Sequence, residues 1–415
     1  MQRNLSLFKL MSRMAFSGLA LLASCTNLPR ITPSKQPSTQ TKTSHFISPP
    51  PPSARITRIS YKTLPGWNQD NLDNAYQAFS NSCAALAKEP DWAGPCQAFQ
   101  AVADNNPKQL RQYFETWFYP YEIKESNHKN TGLITGYYEP ELNGSLVKTP
   151  KYRYPVYGIP ENLIDVNMAG SYPQLNNLRI RGRIQGRQLL PYYTREQIES
   201  SPLLTQAPII CYVDNQLDLF ILQIQGSGKI RLKNGKTLAV GYGDENGQPY
   251  RVLGHILAKA GKIPGHHITM QSIIKWSKLH PDEVSRYLDM NPSYVFFRLL
   301  QNPKKSPEGS LGETLTAGRS IAIDTRYIPL GAPVYISTTY PDSKSPLNRL
   351  VFAQDTGGAI QGPIRADFYF GEGQKAQYQA GQMQEDGRLW VLLPKNSPIK
   401  HFCHAPTCYV TPSST

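Results

Sequence analysis

The chain has one Asp-Thr-Gly, at Asp355-Thr356-Gly357, and no second Asp-Thr-Gly or Asp-Ser-Gly to face it. An aspartic protease needs two such triplets, so that two carboxylates share one proton. A single triplet would demand a symmetric dimer of a chain of 415 residues, and the protease reading is set aside. The glycine-serine run Gln225-Gly226-Ser227-Gly228 lacks both the Gly-Lys-Ser/Thr ending of a phosphate loop and the six-residue dinucleotide fingerprint. There is no basic aromatic RNA motif and no zinc-finger spacing, so nucleic acid is not an expected partner. Cysteines number six, and no apolar run is long enough for a permanent membrane helix. Acidic residues are scarce: 30 against 44 lysines and arginines, a formal charge of +14. Such an excess suits anionic lipid or an anionic polymer, or is simply a solvated basic surface.

What is present centres on Arg349 to Gly373. Leu350 to Ala353 reads as a buried strand running into Asp355. Gly357, Gly358 and Gly362 then give a loop that bends tightly and lies close to a ligand. Arg365, Asp367 and Phe368-Tyr369-Phe370 follow at once. Two carboxylates beside glycines and aromatics, at the end of a strand, suit a sugar-cleaving cleft. The plainer reading makes Asp355 a carboxylate that holds the loop by accepting glycine N–H bonds, and Asp367 a loop-capping aspartate.

In chain order, Arg3, Lys9 and Arg13 precede a short apolar core, Met14 to Ala23, as in an export signal. Leu22-Ala23-Ser24-Cys25 resembles a bacterial lipobox, which implies cleavage before Cys25, acylation there and firm membrane anchoring. No Asp follows Cys25, which favours the outer membrane. Loss of the signal leaves a charge of about +11. Residues 25–58, rich in Pro, Ser, Thr and Lys, read as a disordered tether.

Leu72, Ala75, Tyr76, Phe79, Cys83 and Leu86 recur at helical spacing over Asn71 to Leu86. Asn106-Pro107 opens a helix that buries Leu110, Tyr113, Phe114 and Trp117. Cys83 and Cys96 bracket a short loop, either as a disulfide or as buried thiols. Thr135-Gly136-Tyr137-Tyr138-Glu139-Pro140 reads as a strand edge. Its tyrosines suit a sugar-stacking platform and a core equally. Glu139 and Glu141 are candidates for a second carboxylate, but on a Pro-broken strand they are expected to face solvent. Tyr154 to Gly158, Pro208 to Val213 and Leu219 to Gln225 read as strands, the last ending at Gln225, Gly226 and Ser227, which either present polar groups to a ligand or form an ordinary turn. Arg179, Arg181, Arg183 and Arg187 form a basic cluster. Helices are expected around Val252 to Leu257, from Met270 with a Thr269 cap, and over Asp282 to Met290. Tyr294 to Leu300 reads as a buried strand or core segment. Strands at Ser320 to Thr325, Val334 to Ser337, Leu350 to Ala353 and Arg388 to Leu393, with a helix over Ala376 to Met383, suggest a small closed barrel. His401, Cys403, His404 and Cys408 match no zinc spacing, so a Cys403–Cys408 disulfide is expected and no metal. Cys211 is left as a buried thiol.

TGYYEP at 135–140, QIQGSG at 223–228, NPSYVFF at 291–297 and the three aspartates of SIAIDTRYIPLG, AQDTGGAIQG and RADFYFGEG together resemble the membrane-bound lytic transglycosylase A family, bacterial enzymes that cut peptidoglycan. The resemblance covers roughly Leu133 to Lys395. It implies a mainly β fold with helices: a double-psi β-barrel domain with a second, smaller β-barrel-like domain inserted, and a cleft between them. The implied layout is a signal peptide at 1–24, the tether at 25–58, a helical part of the barrel domain at 59–137, the insert at 138–303, the rest of the barrel (the 3D domain) at 304–395, and a cysteine-containing tail at 396–415. The catalytic acid falls on Asp367, with Asp355 beside it and Asp324 in support. Thr135, Tyr137, Tyr138, Gln225, Gly226, Ser227, Gly357 and Gly358 fall on substrate-facing positions. The implied reaction breaks the β-1,4 bond between N-acetylmuramic acid and N-acetylglucosamine and forms a 1,6-anhydro end. No cofactor is implied. The partners are glycan strands and, through Cys25, a membrane, facing the periplasm; any cell-wall synthesis or division partner is unknown. The competing reading is a non-catalytic peptidoglycan-binding outer-membrane lipoprotein.

Overall fold

The computed structural model describes residues 53–411, apart from 105, 169, 172–179, 202–205, 267, 303–305 and 404–407. Cys25, Arg179 and His404 therefore lie outside the described residues. The chain opens with β1 (Ala54–Arg58), then helices α1 (Ala75–Leu86), α2 (Pro90–Phe99) and α3 (Pro107–Trp117), then β2 (Phe118–Glu125) and β3 (Gly132–Glu139). β1 corrects one expectation, since residues 54–58 are a strand and not the end of the tether. Ala54 and Ile56 alternate into the core, and the strand sits between β2 and a parallel C-terminal strand. The first helix begins at Ala75, because Leu72 and Asn74 adopt positive φ. Asn106 caps α3 by accepting from the Gln109 N–H, with Pro107 at the first helical position.

At Glu139-Pro140-Glu141 the chain leaves the first lobe. It builds a second from β4 (Glu141–Ser145), β5 (Tyr154–Tyr157), β6 (Ile164–Val166), β7 (Ile180–Gln185), β8 (Gln188–Pro191), α4 (Arg195–Ser200), β9 (Ile209–Val213), α5 (Gln216–Gln225), β10 (Gly228–Leu232), β11 (Thr237–Glu245), α6 (Leu253–Lys259), α7 (Met270–Leu279), α8 (Val284–Asp289) and β12 (Val295–Leu300). Its main sheet runs β12-β11-β10-β4-β9-β5, and a bridge between Gly158 and Phe297 brings the two edges together.

Here α5 overturns the expected strand over Leu219 to Gln225. Asn215 caps it through the Asp218 N–H, and Gly226 ends it in the left-handed region at φ +79°. Leu217, Leu219, Phe220, Ile221 and Leu222 are all buried. Four consecutive buried apolar residues blur the amphipathic period, and an apolar run of this kind reads like a buried strand.

The chain then returns as β13 (Ser320–Ile323), β14 (Pro333–Thr339), β15 (Pro346–Thr356), β16 (Ala366–Glu372), α9 (Gly373–Gln382), β17 (Gln384–Pro394) and β18 (Cys408–Thr411). Strand order is β14-β15-β13-β16-β3-β17, and β17 pairs back onto β14, so six strands close into the barrel. Two of its pairs, β13 with β15 and β16 with β3, are parallel. Beyond β17 the sheet continues through β2, β1 and β18. β16 is a strand that the sequence pattern did not reveal.

Phe79, Phe99, Phe114, Phe118 and Phe352 pack edge to face or tilted, fastening the three lead-in helices to the barrel. Cys83 is bonded to Cys96 and Cys403 to Cys408, while Cys211 is a buried thiol. Arg319, fully buried, is held by both carboxylate oxygens of Asp70, at 2.8 and 2.9 Å. Between the lobes, Tyr138, Ala376 and Ala380 pack against apolar residues of α5 to α8.

Candidate active site on the barrel wall

Strand register places the acids. Asp355 pairs with Ala322, Ala322 with Asp367, and Asp367 with Thr135, a single row across β15, β13, β16 and β3. Residues in one row point to one face, so the two aspartates stand on the same side, two strand spacings apart, roughly 10 Å between backbones. Ala322 lies between them, buried in a small apolar cluster with Tyr137, Leu315, Ile360 and Tyr369. Tyr369 and Tyr137, paired two positions further on, extend the same face and contact each other with ring centroids 5.1 Å apart. Phe368 and Phe370 alternate to the opposite face. Gly136 is required by packing: a Cβ there would lie 2.6 Å from the Phe370 ring and 3.0 Å from the Ala380 backbone.

Asp367 keeps a partly exposed edge. Its Oδ1 accepts from Thr135 Oγ1 at 2.6 Å, and Thr135 accepts in turn from Arg365 Nη2 at 2.8 Å. Burial raises the Asp367 pKa; Arg365 and the Thr135 bond oppose this, and the Asp355 charge adds to it. Asp355 Oδ1 accepts from Ser310 N at 2.9 Å, Ser310 Oγ at 3.0 Å and Thr356 N at 2.9 Å. Burial nonetheless holds its pKa above the usual carboxylate value. Its N–H donors are Ser310 and Thr356 rather than the expected glycines. The Tyr137 hydroxyl is buried without a hydrogen bond of ordinary geometry; burial raises its pKa, with Asp355 and Asp367 adding to the effect.

Asp324 is placed differently. It is bound by Arg326 through Nε and Nη2 and accepts from Gly362 N at 2.8 Å, so it fixes the loop that precedes Asp367. Gly357 and Gly358 are exposed on that loop. Tyr138 is buried at the lobe boundary, and its N–H donates to Gln225 Oε1 at 2.9 Å. Gln225, Gly226 and Ser227 thus sit at the end of α5, against the point where β3 leaves the barrel, rather than beside Asp367.

Glu141 is exposed, but Glu139 is not, which corrects the solvent-facing expectation. Glu139 is 3% exposed, with Oε2 lying 3.4 Å from Lys229 Nζ, and Lys229 also binds Glu372. A cavity of about 360 Å³ opens at this lobe boundary, lined by Tyr138, Glu139, Asp218, Arg231 and Gln377 among others. Ser310 and Ala322 carry no role that the sequence alone suggests. The strand register, which needs the position of β16, would have found Ala322, while Ser310 meets Asp355 only through the folded loop before β13. Among the described residues, no cluster of His, Cys, Asp and Glu is arranged to hold a metal.

Comparison with known proteins agrees with this architecture. The MltA specific insert domain matches residues 133–298, and the 3D domain matches residues 319–393. A membrane-bound lytic murein transglycosylase A homolog of Buchnera aphidicola subsp. Schizaphis graminum is 30% identical over 279 residues, 66% of this chain and 69% of that one. The membrane-bound lytic murein transglycosylase A of Escherichia coli (strain K12) is 28% identical over 298 residues, 70% of this chain and 72% of its own. The crystal structure of MltA from Neisseria gonorrhoeae in its monoclinic form is 34% identical and superposes with a TM-score of 0.72, over 83% of this chain and 93% of that one.

Proposed function

This chain belongs to the membrane-bound lytic murein transglycosylase A family, and from that premise we propose that it cleaves peptidoglycan strands between N-acetylmuramic acid and N-acetylglucosamine, using Asp367 as the single acid and base. The observation that carries the reading is the barrel-wall row itself: a carboxyl group with a raised pKa, one edge open, and a second acid two strands away.

A hydrolase of sugars ordinarily uses two carboxylates, one to protonate the leaving oxygen and one to activate water or attack C1. Asp355 is read as a support rather than as that second group, since three donors hold its Oδ1. Asp367 protonates the glycosidic oxygen, and the C1–O bond breaks. The C6 hydroxyl of the muramoyl residue then closes on C1 and gives its proton to the Asp367 carboxylate. A 1,6-anhydro ring results, the acid is regenerated and no water is consumed. The intramolecular attack avoids the entropic cost of recruiting a nucleophile. Burial and the Asp355 charge raise the Asp367 pKa, in the direction the first step needs.

The inserted lobe and the barrel wall together hold the glycan, with Tyr137, Tyr369 and the Gly357-Gly358 loop near the scissile bond. Tyr138 and the Gln225–Ser227 corner lie further along the strand. The domain limits at 138 and 303 fit this reading, as do an acylated Cys25 and an outer-membrane address facing the periplasm. No helix among the described residues is long and apolar enough to cross a membrane. Digestion of purified murein sacculi tests the function. Soluble muropeptides with anhydro ends are expected, and Asp367→Asn lowers their release at least about 10²-fold. Reducing muramic ends would overturn the reading.

A further inference from the structure

Phe368 and Phe370 turn away from the Asp367 row and line a second recess, of about 480 Å³. It lies at an end of the barrel where the turn after β14, the start of α9 and Ala317-Gly318 meet. Two cations line it, Arg349 from β15 and Lys375 from α9. Among the described residues, the Arg349 guanidinium donates only to Gly318 O, at 3.2 Å. A guanidinium carries five N–H donors. Its pKa is held below the ordinary arginine value by burial and by neighbouring Arg319. Arg319 has already taken both oxygens of Asp70. Asp342, the acid of the recess, accepts from Gln379 Nε2 at 2.9 Å and is paired with neither cation. A half-buried guanidinium with no hydrogen-bonded acid is costly, Asp70 and Asp73 acting on it only through charge, and a bound carboxylate would offset that cost. The wall beside it is apolar, with the Phe368 and Phe370 rings 5.0 Å apart and Tyr340 near.

We propose that this recess binds a peptide C-terminus: a carboxylate on Arg349 and Lys375, with a small apolar side chain against Phe370 and Tyr340. Arginine suits a carboxylate because its planar fork takes both oxygens at once. Peptides with free carboxylates hang from peptidoglycan strands, so the recess would read the peptide while the opposite face of β16 cuts the sugar. That link rests on the proposed function; the binding itself does not.

Calorimetric titration of the full chain with D-alanyl-D-alanine, with its C-terminal amide and with inorganic phosphate separates the outcomes. The free dipeptide is expected to bind saturably, the amide at least tenfold more weakly, and phosphate not to compete. Arg349→Gln and Lys375→Gln are each expected to weaken the dipeptide at least tenfold. Lys375 is exposed on α9, so its variant carries the test even if Arg349→Gln fails to fold. Equal binding of the amide, competition by phosphate, or full affinity in Lys375→Gln overturns the proposal. Lys375→Gln is expected to cut peptide-free glycan at the unmodified rate. Lost dipeptide binding in the unmodified chain with cleavage intact would sink this inference alone. Bound dipeptide without any cleavage would sink the proposed function instead.

Discussion

Thr135 Oγ1 donates to Asp367 Oδ1 over 2.6 Å while accepting from Arg365 Nη2 over 2.8 Å. The hydroxyl has one proton, and Arg365 can only donate. That proton is therefore committed to Oδ1, and the acid proton of Asp367 belongs on Oδ2. Thr135→Val removes the bond and frees the carboxyl to rotate. Turnover on sacculi should fall by about 10²-fold with KM little changed, since loss of orientation acts on the reacting geometry. Thr135→Ser should recover most of the rate. A valine variant with undiminished kcat would show that the hydroxyl does not orient the acid.

The raised pKa of Asp367 has a signed consequence for stability. The folded chain binds this proton more tightly than the unfolded chain, so stability falls as pH rises from the unfolded value, about 4, through the folded one. Relative to pH 4, the acid is a net cost at neutral pH. Asp367→Asn should therefore melt higher than the parent at pH 7 and converge with it near pH 4. Thermal unfolding at the two pH values decides this. A variant melting lower at pH 7 would mean that the carboxylate is stabilised in the fold.

The barrel was legible because its strands carry apolar runs bounded by turn residues: Leu350 to Ala353 is buried and reads so. The caps at Asn106 and Thr269 were equally plain, since a side-chain cap is a local event. Two elements were not legible for opposite reasons. Helix α5 buries an unbroken apolar run from Leu219 to Leu222, which reads like a core strand. Strand β16 hides because Asp367 breaks its apolar run between Ala366 and Phe368. Asp70 and Arg319 are separated by most of the chain, and no local pattern announces a pair closed by tertiary structure.

That buried pair makes its own prediction. Burial would raise the Asp70 pKa, but hydrogen bonds and charge from Arg319, with the N–H groups of Leu350 and Leu72, outweigh it and leave the value depressed. Its contribution is present above the unfolded pKa and is lost as pH falls through the folded one. Asp70→Asn strands a guanidinium that is 0% exposed. The expected loss is about 3–5 kcal/mol, measured by denaturant unfolding at pH 7. A loss below about 1 kcal/mol, the scale of a surface pair, would show that water or another group satisfies Arg319.

Glu139 sets a second pH dependence, at the lobe junction. Burial, the largest effect, lifts its pKa to about 7; Lys229 pulls the other way, and Glu372 adds to the rise. Lys229 does not neutralise it fully, because the same ammonium is hydrogen-bonded to Glu372. The folded chain thus holds the Glu139 proton well above the ordinary value of 4.5. Stability declines as pH climbs from there to about 7 and is level beyond. Glu139→Gln keeps the shape and removes the charge. Its melting temperature should match the parent near pH 4.5 and exceed it at pH 8 by the equivalent of about 1–3 kcal/mol, since each tenfold change in proton affinity is worth about 1.4 kcal/mol. Some of that gain is given back, because Lys229 loses one of its two acids. Lys229→Met should do the reverse, leaving Glu139 buried without a cation and steepening the decline above neutrality. A Glu139→Gln difference that stayed constant from pH 4.5 to 8 would mean that Glu139 ionises in the fold as it does in the open chain.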